Sequence, residues 1–287
     1  MGGAVRSDAS LRGKIRAAAA KHGLRPQEVL QMYLFEHLLM RFAASGHSNK
    51  FVLKGGLLIA TMTGMARRTT MDMDTTVVGM DMDRETVERT MAEVCSAEVG
   101  DGMEYQFERV EPIREDDEYA NWRAHIRVRY GRIDAPIKVD ITTGDAITPQ
   151  QVEYAYPLMF DGGTLPVMSY PLPTILAEKL ETVVRRGIAS TRGRDLYDIH
   201  MLTRLYLDQI DKKQLREALA ATAEKRGSAD LLNEWEPTLD EIAASPVQAR
   251  VWSAYVDSAP YAAGVALEEA VDSAKALARF AFEGDLQ

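Results

Sequence analysis

A glycine pair, Gly55-Gly56, is separated by fifteen residues from an Asp-Met-Asp segment that runs from Asp72 to Asp74. The intervening residues are mostly apolar and predict a helix over 57–65. They are followed by a predicted strand over 71–78 that points its Asp residues inward and its Met and Thr residues outward. Side chains two residues apart on a strand share a face of the sheet, so the two carboxylates are expected to lie one pleat apart. Glycines before the helix let backbone N–H groups approach a phosphate without a Cβ in the way. The segment therefore predicts a sheet that carries two carboxylates beside a glycine turn.

The carboxylates of Asp72 and Asp74 are expected to repel each other unless a positive charge lies between them. Carboxylate and phosphate oxygens are the ligands that Mg²⁺ prefers. The spacing thus predicts a Mg²⁺ (or Mn²⁺) ion held by both aspartates, with a nucleoside triphosphate (NTP) as co-substrate. The alternative is a strand end that faces solvent. Asp81 and Asp83 form a second Asp-x-Asp pair, which we assign to a surface loop.

Several features of the chain argue against a membrane protein or a secreted one. No segment approaches eighteen consecutive apolar residues, and the first eight residues lack the apolar core of a signal peptide. The single cysteine, Cys95, cannot form an internal disulfide. These features predict a cytoplasmic protein with no membrane partner.

Charge is distributed unevenly along the chain. The formal net charge is −9, yet residues 1–70 contain 11 Lys and Arg against 3 Asp and Glu. Residues 71–176 are acidic, with 9 against 21, and residues 177–207 are again slightly basic, with 6 against 4. Contacts with the phosphates of a nucleic acid are therefore expected from the first and third of these regions. The alternative is that these charges belong to ordinary solvated helix faces.

Local sequence patterns predict an α+β fold with a mixed sheet. An N-terminal helical segment should precede the sheet, and a C-terminal helical bundle should follow it. We expect two domains, residues 1–207 and residues 208–287. Helices are predicted near 8–23, 26–46, 57–65, 84–99, 174–186, 195–206 and beyond 212, and strands near 51–53, 71–78, 103–113, 122–130 and 137–141.

Four motifs that occur in one order resemble those of the AbiEii-type nucleotidyltransferases, toxins of bacterial toxin–antitoxin and phage-defence systems. Together with the glycine pair and Asp-x-Asp they cover about residues 10–207, and beyond 207 we find no resemblance. The motifs are Phe51-Val-Leu-Lys-Gly-Gly56, Ile137-Lys-Val-Asp-Ile141, Glu178-Lys-Leu-Glu-Thr-Val-Val-Arg185 and Arg194-Asp-Leu-Tyr-Asp-Ile199.

This resemblance implies a nucleotidyltransferase-like core and a Mg²⁺-dependent enzyme that transfers nucleotides from an NTP. It also implies the 3′ end of tRNA as the acceptor, so that translation is blocked, and a cognate antitoxin as a partner. Gly56 stands where many members of the wider superfamily have serine, so a hydroxyl contact to phosphate is absent here. A pair without serine is ordinary in the AbiEii-like branch.

The resemblance makes Asp140 the third carboxylate of the site, either a metal ligand or the base for the attacking hydroxyl. Asp140 lies in the apolar strand 137–141, where an unpaired carboxylate would be costly to bury. Its alternative role is a buried hydrogen-bond acceptor or the salt-bridge partner of an arginine.

In the slightly basic region 177–207, the resemblance makes Lys179 a contact of the nucleotide phosphates and Asp195 part of the active site. Lys179 and Arg186 are seven residues apart and should lie on one helix face, where they suit a triphosphate or an RNA backbone. Asp195 could instead cap its helix, and Asp198 could pair with Arg194 at i, i+4. The side chains of Asp72, Asp74 and Lys179 are expected to share one triphosphate.

Other candidate phosphate contacts flank these motifs. Arg192 and Arg194 follow a glycine-flanked loop and open a helix, where free N–H groups favour anions. Lys54 precedes the glycine pair, and Thr70 places a hydroxyl beside the expected metal site.

Two other functions compete with transfer to tRNA. The same site could transfer a nucleotide to a protein or to a small hydroxylated molecule, as other branches of the superfamily do. The chain could also be a non-catalytic module that binds RNA or a partner. The intact Asp72, Asp74, Asp140 and Lys179 argue against such a loss of catalysis.

Overall fold

The computed structural model describes residues 7–113 and 121–282 and divides them into two compact units. The first unit lies within Met1–Asp145 and Val152–Ser169, and the second lies within Ala146–Gln151 and Tyr170–Gln287. The expectation that the chain has no signal peptide was drawn from residues 1–8, and residues 1–6 lie outside the described residues.

In its described residues, the first unit contains a seven-stranded mixed sheet and four helices. The strands are β1 (Phe51–Lys54), β2 (Met73–Val77), β3 (Glu104–Pro112), β4 (Trp122–Tyr130), β5 (Ile133–Thr143), β6 (Val152–Pro157) and β7 (Thr164–Ser169), and the helices are α1 (Asp8–His22), α2 (Pro26–Ala44), α3 (Gly55–Thr63) and α4 (Arg84–Ser96). The strand order is β3-β4-β5-β2-β1-β7-β6, in which β1–β7 and β2–β5 are parallel and the other pairs antiparallel. The mixed α and β fold predicted from the sequence is thus confirmed.

Strand β5 shows why this sheet has two different faces. Its residues alternate between buried apolar side chains, such as Val139 and Ile141, and exposed or half-buried ones, such as Lys138 and Asp140. A strand with this alternation buries one face and leaves the other open to polar groups. Helices α2 and α4 pack against the sheet. The polar face therefore remains available for a site.

The second unit is helical. Its helices are α5 (Leu172–Arg186), α6 (Gly193–Tyr206), α7 (Lys212–Arg226), α8 (Ala229–Asn233), α9 (Trp235–Ala244), α10 (Pro246–Ser258) and α11 (Leu267–Phe282). Helices α5 and α6 pack against each other, α5 packs against α7, and α6 packs against α11, so the unit begins earlier in the chain than the domain boundary predicted at 207. Among residues 7–113 and 121–282, no helix is long and apolar enough to cross a membrane.

Candidate active site

A row of four charged residues crosses neighbouring strands of the first unit. Lys54 on β1 lies opposite Asp74 on β2, Asp74 lies opposite Asp140 on β5, and Asp140 lies opposite Arg123 on β4. Side chains of directly opposed residues share a face of the sheet. Two carboxylates are therefore flanked by two cations on the polar face. We call these four residues the charged row.

The glycine pair makes room for the carboxylate of Asp74. Gly55 has a φ of +64°, which favours glycine, and a Cβ at this position would lie 2.0 Å from Asp74 Oδ2. A Cβ on Gly56 would lie 2.7 Å from Thr70 Oγ1, and the Gly56 N–H donates a hydrogen bond to Asp74 Oδ2 over 3.3 Å. Both glycines are thus required by close packing around the carboxylate and the loop before it.

The surroundings of Asp74 favour its protonated form. Burial raises the pKa of this carboxyl, and the nearby charges of Asp140 and Asp72 raise it as well. Lys54 and the Gly56 N–H act in the opposite direction but do not offset these effects. A bound cation would relieve both the desolvation and the repulsion, which is the electrostatic situation expected of a metal ligand.

Asp72 is exposed and lies just before β2, which begins at Met73 rather than at the predicted residue 71. The predicted orientation of this segment is wrong. Met73 and Thr75 are buried, lining a small apolar cavity with Leu39 of α2, whereas Asp74 is only half-buried on the polar face. The reason is that α2 supplies apolar side chains that cover Met73, and the carboxylates are left on the polar face.

The loop that leads to Asp72 is held by hydrogen bonds. Thr70 Oγ1 donates to the carbonyl of Asp72 over 3.0 Å and accepts from its N–H over 3.3 Å. Gln31 of α2 donates to the carbonyl of Met71, and Thr69 donates to Glu28 of α2. Thr70, which the sequence assigned to phosphate binding, therefore positions the Asp72 backbone in this structure.

The two cations of the charged row already have protein partners. Arg123 Nε lies 2.7 Å from Asp140 Oδ1 and Arg123 Nη2 lies 2.8 Å from Asp140 Oδ2. The alternative of an arginine salt bridge for Asp140 is thus the arrangement observed. Lys54 Nζ donates to Thr142 over 2.7 Å and to Asp145 over 2.5 Å. A phosphate contact by Lys54 remains a prediction.

The donor set fits a small metal site built by two carboxylates. Within the described part of the chain, no group of three or more His, Cys, Asp or Glu side chains is arranged to hold a metal ion. Mg²⁺, however, commonly binds through one or two carboxylates and completes its coordination with water and substrate phosphates. Asp72 and Asp74 suit such a site, because their charges are close enough to interact and Asp72 is exposed. Asp140 is instead engaged by Arg123.

In the second unit, Lys179 joins the two motifs that the sequence singled out there. Its Nζ lies 2.8 Å from Asp195 Oδ1 and 2.8 Å from Asp198 Oδ2, and both carboxylates are buried. Burial would lower the pKa of Lys179, but the two aspartates more than offset this and raise it. Asp198 thus pairs with Lys179, whose ammonium α5 places between the two carboxylates; a pair with Arg194 was the alternative interpretation. Asp195 pairs with cations and makes no helix-capping hydrogen bond.

The remaining predicted phosphate contacts differ in their surroundings. Arg192 and Arg194 are both exposed, and Arg192 Nε lies 2.6 Å from Asp195 Oδ2. Arg186 is half-buried, and its Nε has no hydrogen-bond partner among the described residues. Their roles in nucleotide binding remain predictions.

Sequence reasoning missed two residues of the polar face, Arg123 and Asp145. The alternation of Arg123, His125, Arg127 and Arg129 with apolar residues indicated a half-exposed strand. It could not indicate which of these arginines lies opposite Asp140, because that depends on the register of β4 against β5. Asp145 follows β5 in a loop and carries no motif.

Comparison with known proteins adds a family match. The model of the family described as nucleotidyl transferase AbiEii toxin, type IV toxin–antitoxin system, matches residues 37–274. Among solved structures, JHP933 from Helicobacter pylori is 16% identical, with a TM-score of 0.46 over 87% of this chain and 91% of that chain. An antigenic nucleotidyltransferase-like protein from Paracoccidioides brasiliensis is also 16% identical, with a TM-score of 0.35 over 69% of this chain and 92% of that chain. No curated protein matches the sequence.

Proposed function

The chain belongs to the family of AbiEii nucleotidyltransferase toxins of type IV toxin–antitoxin systems, and we propose that it transfers nucleotides from an NTP to the 3′ end of tRNA and thereby blocks translation. The observation that supports this proposal most directly is the Asp72 and Asp74 pair beside the Gly55-Gly56 turn, where the pKa of Asp74 is raised. The basic charge of residues 1–70 is compatible with an RNA acceptor. Family membership also implies an antitoxin partner.

In this mechanism Asp72 and Asp74 would hold Mg²⁺, or Mn²⁺, which neutralises charge on the phosphate under attack when it is bound. The Gly56 N–H keeps one oxygen of Asp74 in place, and Thr70 keeps the Asp72 backbone in place. Lys179, held between Asp195 and Asp198, would contact the triphosphate.

The test is transfer of label from each of four radioactive NTPs to total tRNA in the presence of Mg²⁺. We expect the wild-type protein to label RNA with at least one NTP, and we expect Asp72→Ala to abolish labelling while the protein stays folded. Asp81→Ala is the matched control, because it removes an exposed aspartate of the second Asp-x-Asp pair, and it should keep full activity.

Three results would contradict the proposal. Absence of labelled RNA with every NTP would argue against tRNA as the acceptor, and full activity of Asp72→Ala would remove its proposed role as a metal ligand. A labelled protein band or an RNase-resistant product would instead indicate transfer to a protein or a small molecule.

A further inference from the structure

Arg123 engages both oxygens of the third carboxylate of the charged row. Its Nε and Nη2 approach Asp140 Oδ1 and Oδ2 at 2.7 and 2.8 Å. Two parallel, charge-assisted hydrogen bonds of this kind fix both the position and the orientation of a carboxylate. The side chains of Arg123 and Asp140 are 32% and 17% exposed, so water screens this pair less than it screens a fully exposed ion pair.

The strand register makes this contact specific. Arg123 lies directly opposite Asp140, and the next residue on the same face of β4, His125, lies opposite Lys138. Arg127, two further positions along the same face, pairs with Glu108 and Asp134 instead. Arg123 is therefore the arginine of β4 that meets a carboxylate of the candidate active site.

The three aspartates of the site are consequently not equivalent. Asp140 has its charge compensated and both oxygens occupied, whereas Asp72 is exposed and Asp74 accepts a hydrogen bond from a backbone N–H. A metal ion that approached Asp140 would compete with the guanidinium for the same oxygens. Among the described residues, no guanidinium binds the oxygens of Asp72 or Asp74, and the charge of Lys54 acts on Asp74 without offsetting its raised pKa.

We propose that Arg123 is a positioning residue that withholds Asp140 from metal coordination, so that the protein binds a single divalent ion through Asp72 and Asp74. This inference rests on the proposed function, because it concerns the metal of the same site. It assigns Asp140 and Arg123 to one fixed pair beside the ion, where the guanidinium supplies positive charge.

The test is a Mn²⁺ titration without nucleotide or tRNA, in which free Mn²⁺ is followed by electron paramagnetic resonance. We expect wild-type protein to bind one Mn²⁺, Asp74→Asn to lose binding, and Asp140→Asn to weaken binding far less than Asp74→Asn does, because it removes a nearby charge but no ligand. Arg123→Gln should bind Mn²⁺ about tenfold more tightly, which corresponds to about 1.4 kcal/mol, or bind a second ion, because it removes a competing positive charge and frees both oxygens of Asp140. The double variant Arg123→Gln/Asp140→Asn should return to wild-type binding.

Matched variants separate this role from a loss of folding. Arg127→Gln removes an arginine from the same face of β4 and should leave Mn²⁺ binding unchanged. Arg123→Lys keeps the positive charge but cannot form two parallel hydrogen bonds with one carboxylate, so it should increase the Mn²⁺ affinity by less than Arg123→Gln does. It serves as the test variant if Arg123→Gln does not fold. Far-ultraviolet circular dichroism checks the fold of each variant.

The inference is overturned if wild-type protein binds no Mn²⁺, if Asp140→Asn weakens binding as Asp74→Asn does, or if neither Arg123 variant gains affinity or a second ion. Failure of the proposed function has a different signature. In that case tRNA remains unlabelled, whatever the Mn²⁺ titrations show.

Discussion

At the scale of single residues, the candidate site depends on two positions that lack a Cβ. Gly55 and Gly56 leave space that the Asp74 carboxylate and the Thr70 side chain fill. The glycines therefore matter for the protein's own packing as well as for any approach of a phosphate.

Gly55→Ala should displace the Asp74 carboxylate and abolish nucleotidyl transfer. The new Cβ would lie 2.0 Å from Asp74 Oδ2, and the φ of +64° adds a strain of about 1–3 kcal/mol. Transfer assays and urea unfolding measure the two effects. Gly23→Ala is the control, since Gly23 has a similar φ of +66° with nothing within 4 Å of its Cβ position, and it should lose stability but keep activity. Wild-type activity in Gly55→Ala would show that Asp74 does not need this space.

At the scale of secondary-structure elements, buried ion pairs connect segments that are distant in the chain. Asp101, in the turn before β3, accepts hydrogen bonds from Arg41 of α2 at 2.7 and 2.8 Å and lies 2.7 Å from His37 Nδ1. This carboxylate therefore holds α2 against the start of β3.

Asp101 should contribute stability at neutral pH that is lost in acid. Burial raises its pKa, but the hydrogen bonds from His37 and Arg41 more than offset this and hold the pKa well below its ordinary value. A depressed pKa in the folded state gives stability that is fully present above the unfolded value of about 3.9 and is lost progressively as the pH falls from that value through the folded pKa. Asp101→Asn should cost about 3–5 kcal/mol at pH 7, because it leaves Arg41 buried without its counter-ion.

The measurement is urea unfolding of wild type and Asp101→Asn between pH 7 and pH 3. The difference between them should shrink below about pH 4. Glu98→Gln, an exposed change in the same turn, should have little effect at any pH. A difference that does not depend on pH would show that the ionised carboxylate is not what stabilises this turn.

The ion pairs of Lys179 on α5 with Asp195 and Asp198 on α6 allow the structural and catalytic roles of Asp195 to be separated. Asp195→Asn and Asp198→Asn each remove one of the two carboxylates that hold the ammonium, so each should destabilise the protein by about 3 kcal/mol. If Asp195 belongs to the active site, its substitution should reduce transfer more than that of Asp198 does at a temperature where both variants are folded. Equal activities would assign Asp195 to stability alone.

At the scale of the whole molecule, the candidate residues belong to two units. Asp72, Asp74, Asp140 and Lys54 lie in the first unit, and Lys179 and Asp195 lie in the second. Each unit therefore carries its own candidate contacts with a nucleotide.

An ATP analogue with an acyl group on its terminal phosphate acylates amines near the bound phosphates, so it tests the candidate lysine of each unit. We expect it to modify Lys54 and Lys179, with protection by excess ATP, in the wild-type protein but not in Asp72→Ala. Lys138, which is exposed on β5, is the internal control and should react without protection. Mass spectrometry of tryptic peptides identifies the sites. Protected labelling of Lys54 alone would contradict the proposed phosphate contact of Lys179.

Much of the fold could be predicted because local patterns were strong. The alternation in β4 and the glycine turn before α3 predicted these elements within a few residues of their bounds. β6 and β7 were not predicted, because both are short and contain Pro157 or Pro166, which weaken a strand pattern.

The sequence by itself determined the carboxylate pair, the glycine turn and the family resemblance, because each depends on residues close together in the chain. Only the tertiary structure decided which charges meet: Arg123 with Asp140, Lys54 with Asp145, and Lys179 with Asp198. The physical reason is that an ion pair forms between whichever side chains the strand register and helix packing bring within a few ångströms. Those long-range contacts are absent from any local pattern.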